Sequence, residues 1–257
     1  MIPPLLLAIL LPALGALLPW LLKPMRPMRD LFNILVPVGL IAVVLSILPS
    51  ALNGETLEFT IGDLGSGLSF ALALTPLGMI YALVAASLWI LNTIYSYGYM
   101  HGLYSKNFEG QERYWCCFAL AILSAMGIAF SANMLTLFLF YEVMTFSTWP
   151  LVTHTRKPEA KRSGRIYLGI LVGSSTLFML TATLLTWVWT GTLDFREGGI
   201  LSGSTTAGQA AILILLFFFG TGNAAVFPLP RWLPNAMVAP APVRALVHAV
   251  AVVKAGV

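Results

Sequence analysis

Residues 114–152 read YWCCFALAILSAMGIAFSANMLTLFLFYEVMTFSTWPLV and contain two long apolar runs. Only Ser131, Ala132 and Asn133 separate these runs. Each run falls within the ~17–25 residues that an α-helix needs to cross the hydrocarbon core of a bilayer. So short a break predicts a tight helical hairpin, and therefore two adjacent antiparallel helices that span a membrane.

The composition extends this conclusion to the whole chain. Of the 257 residues, 58% are hydrophobic and 9% are charged, whereas soluble chains average about 25% charged residues. So little charge cannot cover the surface of a water-soluble protein of this size, which excludes a soluble enzyme, a nucleic-acid-binding protein, a coiled coil and a disordered chain. We interpret the net charge of +4 as an excess of basic residues in cytoplasmic loops rather than as a nucleic-acid contact.

Six further apolar runs flank the hairpin. They lie at about 2–22, 31–48, 72–94, 166–189, 210–219 and 242–257. We therefore predict an all-α membrane protein with about eight transmembrane helices. Residues 1–110 carry helices one to three with an outside loop at 50–69, whose weak alternation allows a small β-hairpin, and residues 111–257 carry helices four to eight. The last run covers only ~24 Å of the ~30 Å core, so we expect helix eight to be incomplete or completed by another segment.

The seventh run is interrupted by glycine and proline after Phe219. The interrupting residues are Gly220, Gly222, Pro228, Pro230 and Pro234. Proline lacks a donor N–H and clashes with the preceding turn of a helix. Irregular backbone at membrane depth is tolerated only where protein buries it or where it lines a wet cavity. The pattern therefore predicts a broken helix seven.

Basic residues alternate between the loops. The loops after helices one, three and five contain ten Lys or Arg residues, whereas the loops after helices two, four and six contain one. Because cytoplasmic loops carry the excess of Lys and Arg, we predict a multi-pass protein of the inner (cytoplasmic) membrane with its N-terminus outside.

Three ionisable residues lie deep within predicted helices, away from the helix ends. Glu142 is nine residues past Asn133, so it is ~14 Å deep, and Lys254 and His248 lie in the last helix. A charge at a helix centre costs ~2.5–3.5 kcal/mol and marks a transport pathway by default. Burial disfavours the charged forms of both an acid and an amine, so Glu142 and Lys254 at similar depth are able to exchange protons. The alternative interpretation is that all three residues are hydrogen-bonded packing residues.

The chain lacks the common signatures of catalysis and cofactor binding. It contains no Walker loop, HExxH, CxxC or GxSxG motif. Cys116 and Cys117 are adjacent and are interpreted as packing residues. Gly169 and Gly173 form a GxxxG pattern that predicts close helix packing. We therefore expect no catalytic residue, cofactor or metal ion in this chain.

Five motifs carry a resemblance to a known family. They are SAMGIAF at 124–130, NMLTLFLFYE at 133–142, WPLVTH at 149–154, WLPNAMVAPAPV at 232–243 and ALVHAVAVVKAG at 245–256. Together they resemble the antiporter-like subunits of complex I, Mrp antiporters and membrane-bound hydrogenases, most of all the Mrp D-type subunit. The resemblance covers nearly the whole chain but only the N-terminal half of a typical family member.

The resemblance implies both a fold and roles for the matching residues. The family fold is a pair of inverted five-helix repeats, each with a broken helix, so helices four to eight would form the first repeat. Glu142 matches the helix-five glutamate that modulates the channel, Lys254 the proton-relaying lysine of helix eight, and His248 a histidine found there in many members.

Three positions depart from the family pattern. Asn223 follows Gly222 where the family has a lysine that pairs with the helix-five glutamate, Pro230 stands where histidine is usual, and Arg244 replaces a serine. An asparagine cannot carry a proton as a charged group, although it can hold a water molecule. The pathway predicted from the sequence therefore consists of Glu142, Asn223, His248 and Lys254.

We predict a proton-translocating or Na⁺/H⁺-translocating subunit of a multisubunit Mrp-type or complex I-like membrane assembly. The alternatives are a non-conducting structural subunit of such an assembly, or one half of a split antiporter subunit. The expected partners are other membrane subunits, one of which could supply the second repeat, and the lipid bilayer. No catalytic chemistry resides in this chain, so a redox-driven translocase would draw its energy from its partner subunits.

Overall fold

The computed structural model describes residues 3–65, 67–104, 110–196, 198–201, 203–227 and 229–256. The α-helices are α1 (Pro4–Leu21), α2 (Arg26–Leu52), α3 (Pro76–Tyr104), α4 (Gln111–Ala129), α5 (Met134–Val152), α6 (Pro158–Ser174), α7 (Thr181–Thr190), α8 (Ala207–Gly220), α9 (Trp232–Ala236), α10 (Ala241–Ala245) and α11 (Val252–Ala255). The strands are β1 (Glu58–Gly65) and β2 (Leu68–Ala73). Two π-helical segments, Ser175–Leu180 and Leu246–Val250, and one 3₁₀ turn, Gly222–Ala224, complete the described elements.

Six helical segments of the described chain are long and apolar enough to cross a membrane. They are α1, α2, α3 as far as Met100, α4, α5 and the continuous helix Pro158–Thr190, which comprises α6, a π segment and α7. This confirms a multi-pass, predominantly helical membrane protein. The predicted total of eight spans, and the assignment of 1–110 and 111–257 as separate units, stay predictions.

Two predicted boundaries are shifted in the structure. Helix α3 begins at Pro76 rather than near residue 72, because Leu68–Ala73 pairs with β1 as an antiparallel strand. Helix α6 begins at Pro158 instead of residue 166. Proline is favoured in the first turn of a helix, since the N–H that it lacks would have no partner there, so α6 extends into the basic segment that the sequence suggested was a loop.

The connections after the second, fourth and sixth spans lie together at one end of the bundle. The Ala73 N–H donates to the Phe130 carbonyl (2.8 Å) and the Ala132 N–H to the Ala71 carbonyl (3.0 Å). From the following connection, the Phe195 N–H donates to the Ala132 carbonyl (3.1 Å). The β-hairpin and the loops around residues 131 and 194 therefore form one cap. This arrangement agrees with the prediction that successive spans cross in opposite directions, because the second, fourth and sixth spans then end on the same side.

Small residues allow the first helices to pack closely. A Cβ atom on Gly15 in α1 would lie 3.1 Å from Val36 and 3.5 Å from Ala119, and one on Gly127 in α4 would overlap the ring of Phe140. Such residues are typical of helix interfaces in membranes. The prediction for the GxxxG pattern at 169–173 is wrong within this chain, because no described atom lies within 4 Å of a Cβ built on either glycine.

The chain becomes irregular after α8. This helix has 14 residues, or ~21 Å of rise, and ends at Gly220, where a Cβ atom would lie 2.6 Å from the Met179 backbone nitrogen. The 3₁₀ turn follows, and Gly222 packs against Ser174 of α6. The Trp232 indole N–H donates to the Gly222 carbonyl (2.8 Å), which ties α9 to this turn. Pro228 lies outside the described residues, and the broken transmembrane helix seven stays a prediction.

The last segment is not the regular helix that the sequence predicted. It consists of α10, the π segment Leu246–Val250 and α11, with a bend at Ala251 (φ −115°, ψ −78°) between the last two. Tyr81 of α3 donates from its hydroxyl to the Ala251 carbonyl (3.3 Å), and the Asn92 amide donates to the Pro242 carbonyl (3.0 Å). Packing against α3 therefore supports the irregular backbone of this segment.

Candidate functional site

The depth of Glu142 is fixed by the start of α5. Asn133 is the N-cap residue, and its Oδ1 accepts from the Thr136 N–H (2.8 Å). The Asn133 amide also donates to the Ser69 carbonyl (2.8 Å), and the Ala71 N–H donates to the Thr136 hydroxyl (3.1 Å). The β-hairpin therefore holds the first turn of α5, and Glu142 lies ~14 Å further along the helix.

The Glu142 carboxyl group lies between α5 and the junction of α6 with its π segment. Glu142 is partly buried, its Oε1 is hidden from solvent without a hydrogen-bond partner, and the Ser175 side chain is its polar neighbour. The Ser175 hydroxyl donates to the Leu171 carbonyl (2.9 Å), so its lone pairs remain able to accept a hydrogen bond from a protonated carboxyl. π-Helical segments such as the one that begins at Ser175 occur frequently at functional sites.

Asn223 is a buried amide next to the same helix. It is 0% exposed, and neither its Oδ1 nor its Nδ2 has a hydrogen-bond partner in the described structure. Its backbone N–H donates to the Tyr141 hydroxyl (3.0 Å), and Tyr141, which is 1% exposed, directly precedes Glu142. A buried amide without partners is costly, and such groups in native proteins are usually satisfied by ordered water.

Buried hydroxyl groups continue from this point towards the C-terminal end of α5. Tyr141, Thr145 and Thr148 follow one another at i, i+4 and i+7 and are all buried, so they share one face of α5. The Tyr167 hydroxyl of α6 pairs with the Thr148 hydroxyl (2.7 Å). The motif analysis overlooked these residues because it considered only charged groups, although the helical spacing of the hydroxyls was a readable signal.

Lys254 and His248 are not brought to Glu142. The Lys254 side chain is exposed on α11, and no hydrogen bond or ion pair is recorded for it among the described residues. His248 is partly buried and its Nε2 has no partner, while the charge of Arg244 lies one turn away. The backbone of α11 nevertheless reaches the Asn223 region, because a Cβ atom on Gly256 would lie 2.9 Å from the Asn223 carbonyl carbon.

The described residues contain no group of three or more His, Cys, Asp or Glu side chains that could hold a metal ion. Cys116 is partly buried and Cys117 is buried, and both are free thiols. His154 follows the C-terminal end of α5, at the end of the bundle opposite the β-hairpin.

The burial of His154 predicts a pH-dependent stability. Burial first, and then the nearby charges of Arg113 and Arg156, lower the pKa of His154 from 6.5 to about 4. The unfolded chain therefore binds more protons than the folded protein between these pH values, and stability falls as the pH falls from 6.5 to 4, by up to about 3 kcal/mol. Thermal unfolding of the purified protein in neutral detergent measures this loss.

The matched variants are His154→Gln and Arg156→Gln. His154→Gln is expected to flatten the pH dependence between pH 6.5 and 4, whereas Arg156→Gln retains most of it because burial is the larger cause. An unchanged slope in His154→Gln would assign the acid sensitivity to another group.

Partly buried and buried polar groups meet inside an apolar bundle, beside a π segment and the end of α8. Polar groups inside membrane-spanning bundles are rare and usually face the bundle interior or a water-filled cavity. Residues 131–257 match the family described as NADH:quinone oxidoreductase/Mrp antiporter, TM. With the relatives and structures given next, this match shows that the chain is similar to the antiporter-like membrane subunits.

Two curated relatives are A-type antiporter subunits. The chain is 29% identical over 230 residues to the Na⁺/H⁺ antiporter subunit A1 of Staphylococcus aureus, a match that covers 88% of this chain and 28% of that protein. It is 26% identical over 241 residues to the putative antiporter subunit mnhA2 of Staphylococcus haemolyticus, covering 92% and 29% respectively. The chain therefore spans less than a third of these relatives, which are A-type rather than the D-type subunits of the sequence resemblance.

Two solved structures share the fold. A chain of the Mrp complex from Dietzia sp. DQ12-45-1b superposes with a TM-score of 0.82 at 26% identity, over 98% of this chain and 27% of that chain. A chain of the membrane-bound sulfane sulfur reductase, an archaeal respiratory membrane complex, gives a TM-score of 0.85 at 23% identity, over 98% and 51%. The whole described bundle therefore has the fold of antiporter-like subunits.

Proposed function

We propose that this chain is the ion-translocating part of an antiporter-like subunit, and that it conducts protons or exchanges Na⁺ for H⁺. The observation that carries the proposal is the fully buried Asn223 amide. Its two polar side-chain atoms have no partner among the described residues, and its backbone contacts Tyr141, the residue before Glu142. Such a group is costly in an apolar bundle, and it is satisfied where it lines a hydrated pathway.

The proposed pathway follows the buried hydroxyl groups. It enters from the C-terminal end of α5, passes the Thr148–Tyr167 pair and reaches Glu142 ~9 Å further along the helix. Water held by Asn223 then connects Glu142 to α11. Glu142 is the group that binds and releases the proton, while the hydroxyl groups and water carry it between sites.

In this proposal Lys254 receives the proton at the end of the pathway opposite its entrance. His248 is the group that comes immediately before Lys254 in the pathway. A lysine ammonium exposed to lipid would be costly, so we propose that the Lys254 side chain faces a second protein repeat or water. In the same proposal, residues 111–257 form the first antiporter-like repeat and residues 1–110 a separate three-helix unit. The remainder of the fold, on this or another polypeptide, packs against α11.

The partners in this proposal are other membrane subunits of an Mrp-type or complex I-like assembly. Their redox reaction or an ion gradient supplies the driving energy in this proposal, because residues 1–257 contain no redox or nucleotide-binding motif. The N-terminus is proposed to lie outside and the loops after α3 and α5 in the cytoplasm, in the inner membrane, since those loops carry the excess of Lys and Arg.

A non-conducting structural subunit is the second candidate. It is favoured by the exposure of Lys254 and by Asn223 in place of a charged group. Proteoliposomes that contain the whole assembly separate the two candidates. Conduction predicts that an imposed pH gradient collapses faster than in empty vesicles, and dependence of this rate on Na⁺ would identify exchange. A rate equal to that of empty vesicles would leave only the structural role.

A further inference from the structure

The end of the bundle opposite the β-hairpin contains a cluster of donor groups from two helices. Arg113 belongs to the first turn of α4, and His154 follows α5. A Cβ atom on Gly110 would lie 3.7 Å from Arg113 Nη2 and 3.9 Å from His154 Cε1. The guanidinium and the imidazole therefore approach the same point from different sides.

Two donors of the Arg113 guanidinium have no acceptor. Nε and Nη2 of Arg113 are hidden from solvent and lack hydrogen-bond partners in the described structure. Glu112 lies in the same turn, but adjacent helical residues point ~100° apart, and no ion pair with Arg113 is recorded among the described residues. A partly buried guanidinium without an acceptor among the described residues is unfavourable, so an anionic ligand would stabilise this cluster.

The helix itself adds to the attraction for an anion. Helix α4 has 19 residues, and its N-cap, Gly110, has a left-handed conformation (φ 77°) and provides no side-chain cap. The N-terminus of a helix carries a partial positive charge and free N–H groups, which favour phosphate. The exposed Arg156 is near enough for its charge to act on both Arg113 and His154, so the cluster is cationic.

We propose that this cluster, formed by Arg113, His154 and Arg156, binds the phosphate group of an anionic phospholipid. A guanidinium matches the geometry of a phosphate with two parallel hydrogen bonds. The cluster lies where two spanning helices end, which is the depth of lipid headgroups. Basic pockets between transmembrane helices recognise such headgroups. The site is separate from the Glu142 region, and it does not depend on ion translocation.

The test uses the delipidated assembly in neutral detergent. Short-chain phosphatidylglycerol, phosphatidylcholine and inorganic phosphate are titrated separately, and the shift in unfolding temperature gives an apparent affinity. We expect phosphatidylglycerol to bind more tightly than either of the others. Arg113→Gln is expected to weaken phosphatidylglycerol binding about fivefold or more, whereas Arg162→Gln, an exposed arginine of α6 on the same side, leaves it unchanged.

A second variant keeps the test valid if Arg113→Gln does not fold. Arg156→Gln removes a positive charge of the cluster at an exposed residue, so the fold is expected to be retained and phosphatidylglycerol binding to be weakened as well. Inorganic phosphate that binds as tightly as phosphatidylglycerol would overturn the lipid as the ligand. Equal binding of phosphatidylglycerol and phosphatidylcholine by the parent protein would also overturn the proposal, because the cluster would then not select an anionic headgroup.

Discussion

Glu142→Gln is expected to stop ion translocation while the bundle stays folded. Glutamine has nearly the same shape as glutamic acid and can hydrogen-bond to the Ser175 side chain, but it cannot bind and release a proton. We expect the rate at which a pH gradient collapses in proteoliposomes to fall by about tenfold or more, since a barrier only ~1.4 kcal/mol higher slows a step tenfold.

The matched control for this prediction is Glu159→Gln. Glu159 lies in the first turn of α6 and is exposed, so the same change of charge is made outside the pathway, and the parent rate is expected. If Glu142→Gln conducts as fast as Glu159→Gln, Glu142 takes no part in translocation, and its buried carboxyl is a packing group.

Asn223→Leu is expected to raise stability and to abolish conduction in the same variant. In this account the amide is satisfied only by ordered water, whose immobilisation costs up to about 2 kcal/mol for each molecule, and a leucine of similar size removes this cost and excludes the water. The hydrogen bond from the backbone N–H of residue 223 to Tyr141 does not involve the side chain and is retained. Thermal unfolding and gradient collapse measure the two effects on one preparation.

Asn53→Leu is the control, because Asn53 is exposed at the end of α2 and its replacement relieves no buried amide. Neither the unfolding temperature nor the rate is expected to change there. Lower stability in Asn223→Leu would mean that the amide has a structural partner, and a parent-like rate would remove Asn223 from the pathway.

The membrane-spanning helices could be predicted because each depends on local composition. The runs on both sides of Ser131–Asn133 are apolar over the full length of a span, and the structure ends α4 and begins α5 at this break. The depth of Glu142 follows from the number of residues that separate it from Asn133, where α5 begins. Local rules were sufficient here, because the bilayer demands long apolar helices wherever the chain crosses it.

The partners of Glu142 and Asn223 could not be predicted in this way. Tyr141 meets residue 223 across 82 positions of sequence, and serine and tyrosine are too common to reveal such a pairing. The π segments and the bend at Ala251 arise from packing between distant helices, so the helical geometry assumed for His248 and Lys254 did not hold. The glycines at 220 and 222 predicted an irregular backbone, but not that it packs against the α6–π junction.

The central claim is that water reaches the buried groups around Tyr141, Glu142 and Asn223. Radiolytic labelling of the intact assembly in water enriched in heavy oxygen tests it most directly, because a buried aromatic ring is hydroxylated only where a water molecule lies next to it. Tyr141 and Phe118 are each 1% exposed, so bulk solvent reaches them equally. The account predicts that Tyr141 takes up heavy oxygen clearly faster than Phe118, and equal, slow labelling of the two rings would contradict it.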